Sequence, residues 1–160
     1  MFRSTSVRSG AIRLTVTGTL IALSVVGSYL KIPSPTGTVA LDSLPGFLGA
    51  LLLSYPEGAS IGFLGHILTS LSVGFPLGLP VHLVIACEMA LICLLFRFFY
   101  QKNRILAIIC GVLLNGVLAP LTLVPVFGWG FFTGIAISLI VASAVNIILA
   151  SLIFEVLKRR

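Results

Sequence analysis

The residues of this sequence that could do chemistry are few, and most of them stand where a polar group is costly. Glu88 follows Pro80 by eight positions, about 12 Å along a helix, with Val84, Ile85, Leu91 and Ile92 around it. A carboxyl group in such surroundings must be protonated, paired or turned toward a polar cavity. That chemistry fits a ligand contact or gate ahead of a hydrogen bond between helices. His66 is followed one turn on by Thr69 and Ser70, a local polar stripe that suits a ligand contact or a neutral imidazole bonded to a neighbouring helix. Asn115 and Asn146 can each donate and accept across helices. Asn115 reads as functional because Pro120 follows it. Pro120 has no N–H for the Gly116 carbonyl and clashes with it, so a kink with open backbone acceptors is expected beside Asn115. Asn146, deeper in its run, reads as structural.

A second group lies at the connections. Asp42 stands at the start of an apolar run, as a helix N-cap or a ligand contact. His82 opens a later run on the same side. Trp129, with Phe75, Phe127, Phe131 and Phe132, gathers there too; aromatics at that level form a membrane belt unless one stacks on a ligand. Other chemistry is missing. The sequence has no G-x-x-x-x-G-K-[ST] phosphate loop, no H-E-x-x-H and no nucleophile elbow, and its Ser, His and Asp residues follow no triad pattern. Cys87, Cys93 and Cys110 lie inside apolar runs at spacings that suggest neither a metal site nor a disulfide framework.

What must position these residues is a membrane bundle. Of 160 residues 58% are hydrophobic and 9% charged, and the mean hydropathy is +1.20, so lipid is the solvent. The apolar runs are continuous rather than alternating, which selects helices over a barrel. They predict six transmembrane helices near Ala11 to Leu30, Ser43 to Tyr55, Glu57 to Phe75, Pro80 to Tyr100, Arg104 to Phe127 and Phe131 to Leu157, separated by Pro- and Gly-rich connections. The second is short enough for a re-entrant piece. Charge favours six: Arg3, Arg8, Arg13, Arg97, Lys102, Arg104, Lys158, Arg159 and Arg160, nine of the ten cations, fall on one side if both termini are cytoplasmic, leaving Lys31. The net charge of +6 therefore reflects topology, and no nucleic-acid partner is implied. Residues 1–160 form one all-α domain, the first run being a retained span and not a cleaved signal. The connection from Lys31 to Asp42 is the longest, as a binding loop would be. Small residues four apart, Gly18 and Ala22, Ser24 and Ser28, Gly58 and Gly62, permit close helix approach inside the bundle or to a partner.

Six short-looped helices, a basic rim and a Pro-rich first external loop resemble the substrate-binding S components of energy-coupling factor (ECF) vitamin transporters. The resemblance is most specific in Val39-Ala40-Leu41-Asp42-Ser43-Leu44-Pro45-Gly46, in Gly58-Ala59-Ser60-Ile61-Gly62-Phe63-Leu64-Gly65-His66, and in Gly74-Phe75-Pro76-Leu77-Gly78 leading to His82 and Glu88. Within the family these stretches look most like the branch assigned to alpha-ribazole, the nucleoside used in cobalamin salvage. Metal-carrying relatives place a histidine after the initiator methionine, where this chain has Phe2, which argues against nickel or cobalt. The resemblance implies a binding and translocating subunit in a bacterial cell membrane, without catalytic residues or cofactor. It implies capture of the vitamin precursor from outside through Asp42, His66, His82, Glu88, Asn115 and Trp129. A transmembrane coupling (T) subunit and two cytoplasmic ATPases would energise uptake. Gly18 and Ala22 occupy the family's docking pattern, with glycine in place of the more usual first alanine. Two other classes stay open on the residues alone: an intramembrane enzyme using Glu88 and His66, and a structural subunit whose buried polar groups only join helices.

Overall fold

The computed structural model describes residues 10–33 and 39–159; Phe2, Arg3, Arg8, Pro35, Gly37 and Arg160 lie outside them. Six helices follow in order: α1 Gly10–Gly27, α2 Leu44–Leu52, α3 Tyr55–Ser72, α4 Leu79–Lys102, α5 Arg104–Thr122 and α6 Val124–Lys158. No strand interrupts them among the described residues; one antiparallel bridge pairs Lys31 with Ala40. Pro45, Pro56, Pro80 and Pro125 stand at the starts of α2, α3, α4 and α6, where a missing N–H costs nothing.

Four of these helices, α1, α4, α5 and α6, are long and apolar enough to cross a membrane. Helix α3 equals α1 in length but carries Glu57, His66 and several hydroxyls. The second segment departs from expectation. Helix α2 has nine residues, about 14 Å, less than half a bilayer core, so Ser43 to Tyr55 is not a full span. Its start is sunk into the bundle because the preceding connection folds inward: Ile32 N–H donates to the Val39 carbonyl at 2.8 Å, and Leu41 N–H to that of Leu30 at 3.1 Å.

Below that point the bundle is closed. Phe47, Ile61, Cys93, Phe96 and Ile147 are fully buried, with Phe47 edge-on to Phe96 at 5.1 Å. Glycine permits the closest approaches. A Cβ on Gly58 would lie 2.6 Å from Ala50 Cα, and one on Gly62 would lie 2.9 Å from both Cys93 Sγ and the Met89 carbonyl oxygen. Gly58 and Gly62 thus serve contacts inside the bundle. Gly18 has nothing within 4 Å of such a Cβ, and both it and Ala22 are exposed on α1.

The same closed end gathers the described cations other than Lys31. Arg13 pairs with Glu57 and bonds Ser54. Arg97 donates to the Ala50 and Leu51 carbonyls at the end of α2, where cations complement the helix dipole, and lies over the Tyr55 ring. Tyr100 bonds Glu155 at 3.0 Å, drawing in the end of α6. Asn103, the single residue between α4 and α5, caps α5 by accepting from Leu106 N–H.

Candidate functional site

At the opposite end a cavity with an empty volume of about 1110 Å3, its open mouth included, occupies the half-span that α2 leaves vacant. Asp42, His66, His82, Glu88 and Asn115, five of the six residues expected to contact substrate, line it. Trp129 does not. On α6 the lining residues are Phe131, Ile135, Leu139, Ala142 and Asn146, spaced by three or four along one face. Trp129 sits two positions before Phe131, about half a turn away, and is 65% exposed, edge-to-face with Phe132 at 5.9 Å.

His66 and His82 meet across the α3–α4 junction. Gly74 (φ 77°) and Gly78 (φ 82°) take the left-handed backbone that reverses the chain there, and Phe75 shares it at φ 50°. His82 stands in the first turn of α4, on the same cavity as Asp42, and is buried at 6% exposure. Its Nε2 accepts from Leu77 N–H at 3.4 Å, which puts the proton of a neutral ring on Nδ1. That nitrogen lies 3.0 Å from Ser70 Oγ and 3.2 Å from His66 Nε2. One hydroxyl thus ties two imidazoles into a small network on the cavity wall.

Asp42 is not an N-cap. Ser43 holds that position and its side chain caps nothing. Asp42 Oδ2 instead accepts from Thr69 Oγ1 at 3.1 Å. Burial pushes its carboxyl from 3.8 up to about 6, against the opposing pull of the Thr69 hydroxyl and of Lys31. The first amide of α2 is capped from a distance: Leu44 N–H donates to Asn146 Oδ1 at 2.9 Å. Asn146 Nδ2 donates to the carbonyls of Ala142 at 2.9 Å and Ala40 at 3.2 Å. Both amide protons and one lone pair of the oxygen are spent on backbone, so the side chain holds the α1–α2 connection in the wall.

Asn115 and Glu88 approach from α5 and α4. Asn115 Nδ2 donates to Ser143 Oγ at 3.0 Å. The distortion expected from Pro120 is present as a π turn over Leu114–Leu118, in which Ala119 N–H reaches the Leu114 carbonyl five residues back. Gly116 fits within it because a Cβ would come 2.8 Å from Ile140 Cα. Thr122 Oγ1, one turn past the π segment, lies 2.6 Å from Glu88 Oε1. Thr122 and Ser143 were not anticipated, since a hydroxyl on an apolar helix signals a partner only when its facing helix is known. Ser24 and Ser28, read only as small residues, also line the cavity; their i, i+4 hydroxyls on an apolar helix were the available signal.

Polar groups from the α1–α2 connection, α3, α4 and α5 therefore converge on one cavity at the end of the bundle away from the described cations other than Lys31, which lines it. No curated protein matches the chain. The sequence does match the family described as ECF transporter, substrate-specific component over residues 12–158, a stretch that takes in every side chain of the cavity. The match covers nearly the whole chain, and this chain belongs to the ECF transporter substrate-specific component family.

Proposed function

We propose that this chain captures and translocates a small water-soluble vitamin precursor, alpha-ribazole, as the S component of an ECF importer. Family membership makes it a membrane-embedded, substrate-binding transporter component; the family is not one of enzymes, and its members work with T and ATPase modules. The observation that carries the reading is the cavity itself. The stretches that resemble the alpha-ribazole branch supply much of its lining, including Asp42, Ser43, Gly46, Gly62, His66, Leu77, His82 and Glu88. Its walls are mostly polar along α1, α3 and α4 and mostly apolar along α5 and α6, where Asn115 and Asn146 are the exceptions, a division that suits a ribose joined to a flat aromatic base.

The cation-rich end is cytoplasmic in this proposal, so the cavity opens outward. Gly18 and Ala22, exposed and unobstructed on α1, offer the coupling subunit a groove for close helix contact. The decisive experiment is calorimetric titration of the detergent-purified protein with alpha-ribazole, with mass spectrometry of whatever co-purifies. Saturable binding supports the reading. A different retained vitamin reassigns the ligand, and a ligand-free chain that turns over a lipid overturns the transport role. A cysteine replacing Lys102 should resist labelling from outside intact cells.

A further inference from the structure

Glu88 has a buried oxygen left without a partner, as no other described side chain lining the cavity does. The His66, His82 and Ser70 side chains bond one another, Asp42 accepts from Thr69, whose hydroxyl also reaches the His66 carbonyl, Asn115 is held by Ser143, and Asn146 by backbone. Glu88 Oε2 has neither a partner nor accessible surface, and of the described buried side-chain atoms without a partner it alone belongs to a residue lining the cavity. Its other oxygen is only half served. Thr122 Oγ1 has one proton but stands 2.6 Å from Glu88 Oε1 and 2.7 Å from the Ala119 carbonyl. The last torsion of a glutamate is broad, so rotation about it turns the unpartnered oxygen toward the cavity at little cost. An acceptor kept short of donors is expensive unless something else completes it.

We propose that the ligand completes it: a neutral O–H or N–H of the bound molecule donates to the Glu88 carboxyl, with Thr122 as the residue that positions that carboxyl. The ligand's apolar ring then lies across Ala119, Pro120, Leu123 and Ile135 on the facing wall. The site thereby selects molecules that carry a donor at this place over the same molecules with the donor blocked. This inference rests on the reading of the chain as a substrate-binding subunit.

Two measurements on the full-length protein in detergent test it. The first needs no ligand. Replacing a half-bonded carboxyl by an apolar group, Glu88→Leu, should leave the thermal midpoint of the ligand-free protein unchanged or raise it, whereas a carboxyl whose purpose is to tie α4 to α5 would lower it on removal. The second uses alpha-ribazole and derivatives with each ribose hydroxyl methylated in turn. Glu88→Leu should bind alpha-ribazole about tenfold or more weakly. Glu88→Gln, which keeps an acceptor for the ligand and an amide for Thr122, should stay within about threefold of wild type. One methylated derivative should bind wild type weakly and show no further loss with Glu88→Leu. A lowered ligand-free midpoint in Glu88→Leu, undiminished binding by that variant, or equal losses in Leu and Gln would each overturn the proposal. Silence of alpha-ribazole toward wild type would refute the ligand assignment, and the ligand-free midpoint would still decide the role of Glu88.

Discussion

Asn146→Ala should cost more than its single amide suggests, because the side chain holds a connection a hundred residues away. The substitution removes the acceptor for Leu44 N–H at 2.9 Å and the donor to the Ala40 carbonyl at 3.2 Å, in a residue only 1% exposed. Loss of a helix N-cap costs about 1 kcal/mol. A buried carbonyl left without its donor adds about 1 to 3 kcal/mol. The third bond, to Ala142, returns to a carbonyl within the same helix and should add little. The total is about 2 to 4 kcal/mol of stability. Part of that loss should appear as function, since Asp42 and Ser43 lie between the two anchored points and line the cavity. Asn146→Asp keeps an oxygen for Leu44 N–H while losing the amide donor, and should fall between wild type and alanine. Thermal unfolding in detergent, with and without alpha-ribazole, measures both effects. If Asn146→Ala melted and bound ligand as wild type does, the connection would be held by its other contacts and the reasoning would fail.

Gly18→Leu and Ala22→Leu should leave ligand binding and the thermal midpoint unchanged, since nothing stands within 4 Å of a Cβ at Gly18 and Ala22 is exposed, but should abolish energised uptake and co-purification with the coupling subunit. Surviving uptake would move the docking surface elsewhere. Gly62→Ala should destabilise by about 1 to 3 kcal/mol by overpacking. Trimming Cys93 to alanine should recover only part of that loss, because the Met89 carbonyl oxygen is also 2.9 Å away and cannot yield as a side chain would; full recovery in the double variant's unfolding curve would refute this. For Asp42, a carboxyl raised from 3.8 to about 6 destabilises the folded state when charged. The cost is complete above pH 6 and relieved as pH falls from 6 toward 4, amounting to about 3 kcal/mol at most. Asp42→Asn should therefore raise the midpoint at pH 7.5 and flatten its pH dependence in that window; an unchanged pH profile would show that Asp42 is not the group responsible.

Much of the architecture was legible in the sequence because it depends on local properties. Hydropathy names the solvent, continuous apolar runs require helices, and Pro56 and Pro80 mark helix starts wherever the helices later go, whereas Pro125, placed inside the fifth run, opens α6 instead. The cost of a polar group in an apolar run singled out Glu88, His66 and Asn115 before any neighbour was known. Tertiary structure decided what depends on rotation and depth. The first amide of α2 is tied to Asn146, a contact spanning 102 positions that no hydropathy window registers. Trp129 and Phe131 look alike in the sequence, but the turn of α6 sends one to the exposed surface and the other to the cavity. Gly18 and Gly62 carry the same spacing signal, and only the packing shows one bare and the other pressed against Met89 and Cys93. Residue type sets the energy a group must find a partner for; which partner it meets is fixed by the facing helix, whose side chains are distant in sequence.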